Sequence, residues 1–158
     1  MATDQNQYLG NPNLKKANVP VEFTKEQIEE YQKCMGDPVY FIQEYMKIVS
    51  LDEGLVPFKM YDFQQNMVQT FHDNRFTICK LPRQSGKSTT IIAYLLHYVL
   101  FNQNVNVAIL ANKSSTARDI LGRLQLGYEN LPKWLQQGVV SWNKGSLDLE
   151  NGSSILAA

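Results

Sequence analysis

Cysteine and histidine are scarce in this chain. Among 158 residues there are two cysteines, Cys34 and Cys79, and two histidines, His72 and His97. Two distant cysteines exclude a disulfide framework, and in their apolar settings they read as buried or half-buried reduced thiols. Two histidines standing apart build no metal cluster. There is no excess of either charge, because Lys plus Arg equals Asp plus Glu at 15 each. That balance argues against a dedicated nucleic-acid-binding module. Long apolar runs are also missing. The longest, Ile91 to Phe101, is interrupted by His97 and is too short to span a bilayer. The polar start, MATDQNQYLGNPNLKKANVP, contains no signal-peptide core, so a cytoplasmic protein is expected.

What is present suits a globular α/β domain: 44% of residues are apolar and 19% charged. Residues 1–20 read as an N-terminal arm without its own core. Thr24 with Gln27 forms a capping box that opens a helix ending near Met35. Asp37-Pro38 starts a second helix with an apolar face through Ile48, and residues 50–57 read as a turn. Asp62 is placed to cap a third helix, from Phe63 to His72. Arg75–Leu81 reads as a β-strand, followed by a loop and a helix from Gly86 to Phe101. Val105–Ala111 is a second strand, apolar enough for burial on both faces, and Ser114 or Ser115 caps the helix that follows. Residues 139–157 alternate as a β-meander, with Asn151-Gly152 as its strongest hairpin signal. The expected fold is therefore α/β. Residues 21–73 form a helical lead-in, 75–111 an incomplete P-loop-like parallel βαβ core with a right-handed crossover, and 139–157 an antiparallel meander.

The chemistry concentrates in Leu81-Pro-Arg-Gln-Ser-Gly-Lys-Ser-Thr-Thr90. A strand, a loop with Gly-Lys-Ser and a helix start is the context a phosphate-binding loop demands. Unpaired amides at a helix N-terminus attract an anion. Gly86 lets backbone approach the phosphates, Lys87 supplies a compact positive charge, Ser88 can ligate magnesium, and Thr89 can support an α-phosphate contact. The first glycine of the usual motif is Leu81 here, and Arg83 adds a second cation that can stabilise a transferring phosphoryl group. Gln84 and Ser85 complete the loop. The expected ligand is ATP with Mg2+.

Upstream, Gln64 follows an aromatic residue, and its amide can donate to adenine N7 and accept from N6. Phe58 or Phe63 is placed to pack on the base. Lys113 and Arg118 follow the second strand, where open α/β sheets bind ligands, although solvated charges would look the same. Trp134 and Trp142 read as packing anchors. Asp148 and Glu150 read as a solvated face. No apolar run ending in Asp-Glu follows residue 90, so the carboxylates that hold magnesium and activate water have no candidate.

Four segments carry a resemblance. They are Tyr8-Leu-Gly-Asn-Pro-Asn-Leu-Lys-Lys-Ala-Asn18, Asp62-Phe63-Gln64, Arg83-Gln84-Ser85-Gly86-Lys87-Ser88-Thr89, and Trp142-Asn-Lys-Gly-Ser-Leu-Asp-Leu-Glu-Asn-Gly-Ser-Ser154. Together they resemble the large terminase subunit of tailed bacteriophages, of the myovirus type. In that family an N-terminal ATPase drives DNA into the capsid and a C-terminal nuclease cuts the concatemer. The resemblance implies phosphate contacts from Lys87 and Ser88, a catalytic loop arginine at Arg83 and adenine recognition at Gln64. It implies double-stranded DNA, portal protein and small terminase subunit as partners, in the cytoplasm of the infected host. The family's Walker B, coupling and nuclease residues have no counterpart here. Two other readings share the loop: a helicase fragment, and a non-hydrolysing interaction module.

Overall fold

A computed structural model describes residues 5–158. Its elements run β1 (Gln7–Tyr8), β2 (Asn11–Lys15), α1 (Lys25–Gly36), α2 (Pro38–Tyr45), β3 (Lys47–Ser50), β4 (Gly54–Pro57), α3 (Asp62–Asp73) and α4 (Lys87–Phe101). They continue with β5 (Asn106–Ile109), α5 (Ser114–Glu129), a 3-10 turn (Lys133–Leu135), β6 (Val139–Trp142), β7 (Ser146–Leu149) and β8 (Ser154–Ala157). Two hairpins, β1-β2 and β3-β4, accompany a four-stranded sheet of order β5-β8-β7-β6. That sheet is mixed. β5 runs parallel to β8 from Asn106↔Ser154 to Ile109↔Ala157, and the other pairs are antiparallel.

Helix α4 is the centre of the core. Ile92, Ala93, Leu96, Val99 and Leu100 are all buried on it. Phe41 and Ile42 of α2, Val68 of α3, and Ala117, Leu121, Leu124 and Tyr128 of α5 belong to the same cluster. The Asn-Gly hairpin signal also serves α4. The Asn151 amide donates to the carbonyls of Val99 at 2.8 Å and Asn102 at 3.0 Å, satisfying acceptors that a helix end leaves open. Gly152 sits at φ +80°, and a side chain there would meet Asn104 Oδ1 at 2.1 Å.

Several expectations hold. The Thr24/Gln27 capping box is formed in both directions, at 3.2 and 3.0 Å. Trp134 and Trp142 pack edge-on or tilted against Tyr45 and Tyr128. Other expectations are corrected. Arg75–Leu81 is in no strand of the described sheet, because no neighbouring strand supplies its hydrogen bonds; Phe76 and Ile78 are 83% and 98% exposed. The one parallel pair among the described residues joins β5 to the last strand, with α5 and an antiparallel pair between them. β5 is buried on one face only: Val107 and Ile109 are covered, and Asn106 and Ala108 are exposed. The turn expected at 50–57 is the tip and second strand of the β3-β4 hairpin, which also takes the end of the second expected helix. Tyr61 rather than Asp62 stands at the α3 N-cap. Cys79 is exposed while Cys34 is buried. The two histidines do not stand apart, since their ring centroids lie 6.3 Å from each other.

Of the expected arm, residues 5–20 are docked rather than free, and residues 1–4 lie outside the described residues. Leu14 is buried in the core, and Lys16 bridges to Val139. The Gln136 amide accepts from Lys15 N at 3.1 Å and donates to the Asn13 carbonyl at 3.0 Å. Glu150, expected on a solvated face, accepts from Gly138 N at 2.7 Å and Asn18 N at 2.8 Å, and pairs with Lys15 Nζ at 3.3 Å. Partial burial opposes its charge, and the two amides with Lys15 overcome that opposition and hold its carboxyl below the usual range. Hydrogen bonds to charged groups contribute about 1.5–3 kcal/mol, so Glu150→Ala should cost roughly 2 kcal/mol. Urea unfolding measures the loss, and hydrogen exchange should show the amides of residues 15–18 deprotected.

His97 gives a second test. Its Nε2 lies 2.9 Å from the Cys34 carbonyl, its Nδ1 is buried without a partner, and Phe41 and Phe101 crowd the ring. Desolvation pushes its pKa from 6.5 down to about 4. The unfolded chain therefore binds the extra proton first, so stability is lost as pH falls from 6.5 and the loss is complete below about 4. One pKa unit is about 1.4 kcal/mol, so the full loss is on the order of 3 kcal/mol. Urea midpoints across this window, compared with His97→Gln, should show the variant without this component.

Candidate functional site

The loop between Leu81 and Lys87 is shaped by its own polar groups. Ser85 Oγ and Lys87 Nζ both donate to the Pro82 carbonyl, at 3.0 and 3.2 Å. Gln84 and Gly86 take left-handed backbone, at φ 58° and 74°. A left-handed non-glycine residue costs about 1–2 kcal/mol, a strain typical of ligand-holding segments. Alternating handedness of this kind turns successive amides toward one side and makes an anion-binding concavity.

Helix α4 begins at Lys87 with Gly86 as its N-cap and no side-chain cap. Its first backbone bond runs from Thr90 N to the Gly86 carbonyl at 3.0 Å, and the buried Thr90 hydroxyl donates to the same oxygen at 3.0 Å. The amides of Lys87, Ser88 and Thr89 precede that bond, so no carbonyl of the helix meets them. The turn is open to solvent: Ser88 is exposed, and Ser85, Gly86, Lys87 and Thr89 are half-buried.

Gln64 braces this turn. It is only 3% exposed; Oε1 accepts from Tyr61 N at 2.9 Å, and Nε2 reaches the Ser85 carbonyl at 3.5 Å. A Cβ on Gly86 would lie 2.5 Å from Gln64 Nε2, so a side chain there would push that amide aside, and the left-handed backbone adds strain of its own. The amide expected to meet a base thus already joins the start of α3 to the loop. One hydrogen on Nε2 and one lone pair on Oε1 remain for a ligand.

Beside the loop opens a cleft of about 650 Å³. Gln64, Gln84, Ser85, Gly86 and Thr89 line it, together with Phe58 and Phe63. Arg83, Lys87 and Ser88 stand on the same loop and helix start but do not line the cleft. Phe58 is 4% exposed, whereas Phe63 is 40% exposed and stacks on Tyr61 with ring planes 10° apart. The face for a flat ligand is therefore Phe63 with Tyr61. The sequence reading missed the hairpin wall, Ile48 and Pro57, and with it Lys59 and Tyr61. The short apolar pairs Ile48-Val49 and Leu55-Val56 on either side of Asp52-Glu53-Gly54 were the signal for it. Lys113 and Arg118 are exposed on the β5-α5 connection and α5, outside the cleft.

The arrangement can hold an anion at the α4 turn and a flat ring beside Phe63. Among the described residues no carboxylate lines the cleft. No helix is long and apolar enough to cross a membrane among them either. Residues 78–158 match the family model described as Terminase large subunit, T4likevirus-type, N-terminal. That match runs from the extended segment before the loop through the whole meander, just over half of the chain, and the chain belongs to this family of terminase large subunits.

Proposed function

We propose that this chain is the ATP-binding part of a viral DNA-packaging motor. ATP hydrolysis in that motor is coupled to translocation of double-stranded DNA into the capsid, with portal protein and small terminase subunit as partners. The observation that carries the nucleotide site is the open first turn of α4. Three amides without helical acceptors and the Lys87 ammonium converge beside a cleft lined by Gln64 and Phe63.

In this reading the polyphosphate lies against Gln84, Ser85, Gly86, Lys87, Ser88 and Thr89. Helix-terminal amides and the lysine charge favour an anion there without covalent chemistry. Lys87 spends one proton on Pro82 and keeps two for phosphate oxygens. Arg83, exposed on the loop, is the cation that stabilises charge building on the transferred phosphoryl group. Phe63 and Gln64 hold the base. Magnesium neutralises phosphate charge when bound, and the Ser88 hydroxyl is the side-chain oxygen at the turn that would ligate it. Such a site usually adds one or two carboxylates to the phosphate oxygens. The cleft described supplies none, so the water-activating group must come from outside these lining residues.

The same reading makes Arg75–Leu81 the strand leading into the loop, part of a parallel nucleotide-binding sheet. Exposed Phe76 and Ile78 support it, since a neighbouring strand with its own side chains would shield them. Amide exchange at residues 76–81 should be fast in this chain and slow once a partner strand is supplied; equally fast exchange in both states would remove the strand from the reading.

Two further outcomes are expected. Lys87→Ala should weaken binding of a fluorescent ATP analogue by tenfold or more, on the order of the 1.5–3 kcal/mol of a charge-assisted hydrogen bond; unchanged affinity would remove the phosphate site. Gln64→Glu keeps the acceptor for Tyr61 but removes the amide donors. It should lower the preference for ATP over GTP while leaving the helical circular dichroism unchanged. For hydrolysis, the chain should bind ATP with negligible turnover, and robust DNA-stimulated phosphate release would contradict the carboxylate argument.

A further inference from the structure

β3, α4 and α5 line a second cavity of about 320 Å³ beside the start of α4, within the size range of small-molecule sites. Its floor is apolar and buried. Met46, between α2 and β3, and Ile92 of α4 are 2% and 3% exposed, with half-buried Leu126 of α5 beside them. That floor is held in place. Met46 N donates to the Ile42 carbonyl at 3.1 Å, and the Met46 carbonyl accepts from Phe58 N at 2.9 Å. The Met46 side chain lies against Gly127, where a Cβ would stand 2.8 Å from its Cε. A cavity fixed before a ligand arrives keeps the ordering cost of binding low.

The rim carries charge of one sign. Lys47 of β3 and Arg123 of α5 line the cavity, both are exposed, and no carboxylate lines it. Neither side chain is engaged within the fold, since the sole ion pair among the described residues joins Lys15 to Glu150. Asp119, one turn before Arg123 on α5, is outside the lining and forms no ion pair with it. The Thr89 side chain stands at the edge and brings a neutral hydroxyl.

We infer that this cavity binds a small organic anion, an aromatic or short aliphatic carboxylate. Its apolar body rests on Met46 and Ile92, and its charge meets Arg123 and Lys47. A guanidinium fork and an ammonium group both suit a carboxylate. The apolar floor favours such a ligand over an inorganic ion, which has no apolar surface to bury there. The space is too small for a helix, whose diameter with side chains is about 10–12 Å.

The cavity also adjoins the nucleotide cleft, because Ile48 and Thr89 line both. Two anions held on either side of Thr89 repel each other. The carboxylate should therefore weaken ATP binding, and ATP should weaken carboxylate binding by the same factor. This coupling rests on the nucleotide reading; the cavity and its charge do not.

The test titrates the full chain, with its isoleucine and leucine methyls isotopically labelled for NMR, against naphthoate and its neutral counterpart naphthalenemethanol. Naphthoate should shift the Ile92 and Leu126 methyl signals saturably, with a Kd of about 1 mM or tighter. The alcohol should bind roughly fivefold more weakly, and Arg123→Gln and Lys47→Gln should each weaken naphthoate by about threefold, as partly solvated charge pairs do. Lys25→Gln on α1 should leave it unchanged. All the replaced residues are exposed, so the fold is kept, and unaltered methyl signals away from the cavity check this. Equal affinity for naphthoate and the alcohol, or full affinity when Lys47→Gln and Arg123→Gln are combined, would overturn the assignment. So would shifts confined to Ile28, on the apolar groove beside α1. Displacement of naphthoate by hexaglutamate at lower concentration would also overturn it and make the cavity a site for acidic protein. A fluorescent ATP analogue is read on the same samples. Saturating naphthoate should weaken it by roughly threefold; unchanged affinity would remove the coupling. If the analogue does not bind the unsubstituted chain while naphthoate still shifts Ile92, the nucleotide reading fails and this site stands.

Discussion

Gly86 and Gln64 meet where any side chain on Gly86 would have to displace the Gln64 amide. The amide nitrogen of Gln64 occupies the space a Cβ of Gly86 would need, and Gly86 itself is left-handed. Much follows from this one close approach. Through its oxygen Gln64 holds the first turn of α3, and through its nitrogen it faces the Ser85 carbonyl. The start of α3, the bend of the loop and the start of α4 are therefore one mechanical unit. Because Gly86 has no side chain, the N-terminus of α4 has no side-chain cap, and that leaves its first amides for an anion.

The rest of the structure keeps that unit rigid. α4 lies at the centre of the apolar core, so the turn that carries the open amides is fixed by burial of the four turns behind it. At the far end, Asn151 and Ser153 tie the meander to the last carbonyls of α4 and to Asn102. A rigid helix with an exposed positive end suits phosphate binding, because no ordering cost is left for the ligand to overcome. Residues 74–113, which include the loop and α4, hold five basic residues and no acidic one.

Local chemistry was legible where a residue acts through its neighbours in sequence. The Thr24/Gln27 box, Pro38 at the first turn of α2 and the Asn-Gly hairpin all form as read. So does the loop-to-helix transition at Gly86, whose glycine and following apolar periodicity are local signals. Readings that depended on distant partners went differently. Arg75–Leu81 has the composition of a strand, but a strand exists only when a neighbour supplies hydrogen bonds. Glu150 reads as a surface carboxylate until Lys15, Asn18 and Gly138 are brought to it from across the chain.

The amino-acid order by itself determined the five helices, the C-terminal meander and the loop-to-helix turn at Gly86, because capping, helical periodicity and glycine placement act over a few residues. Only the tertiary structure decided that Gln64 presses on Gly86, that Phe63 is the more exposed of the two phenylalanines lining the cleft, and that the β3-β4 hairpin walls it. It also decided that the N-terminal segment docks on the meander. These are contacts between residues twenty to more than a hundred positions apart. Their strength comes from burial and from hydrogen bonds that exist only once the chain has closed on itself.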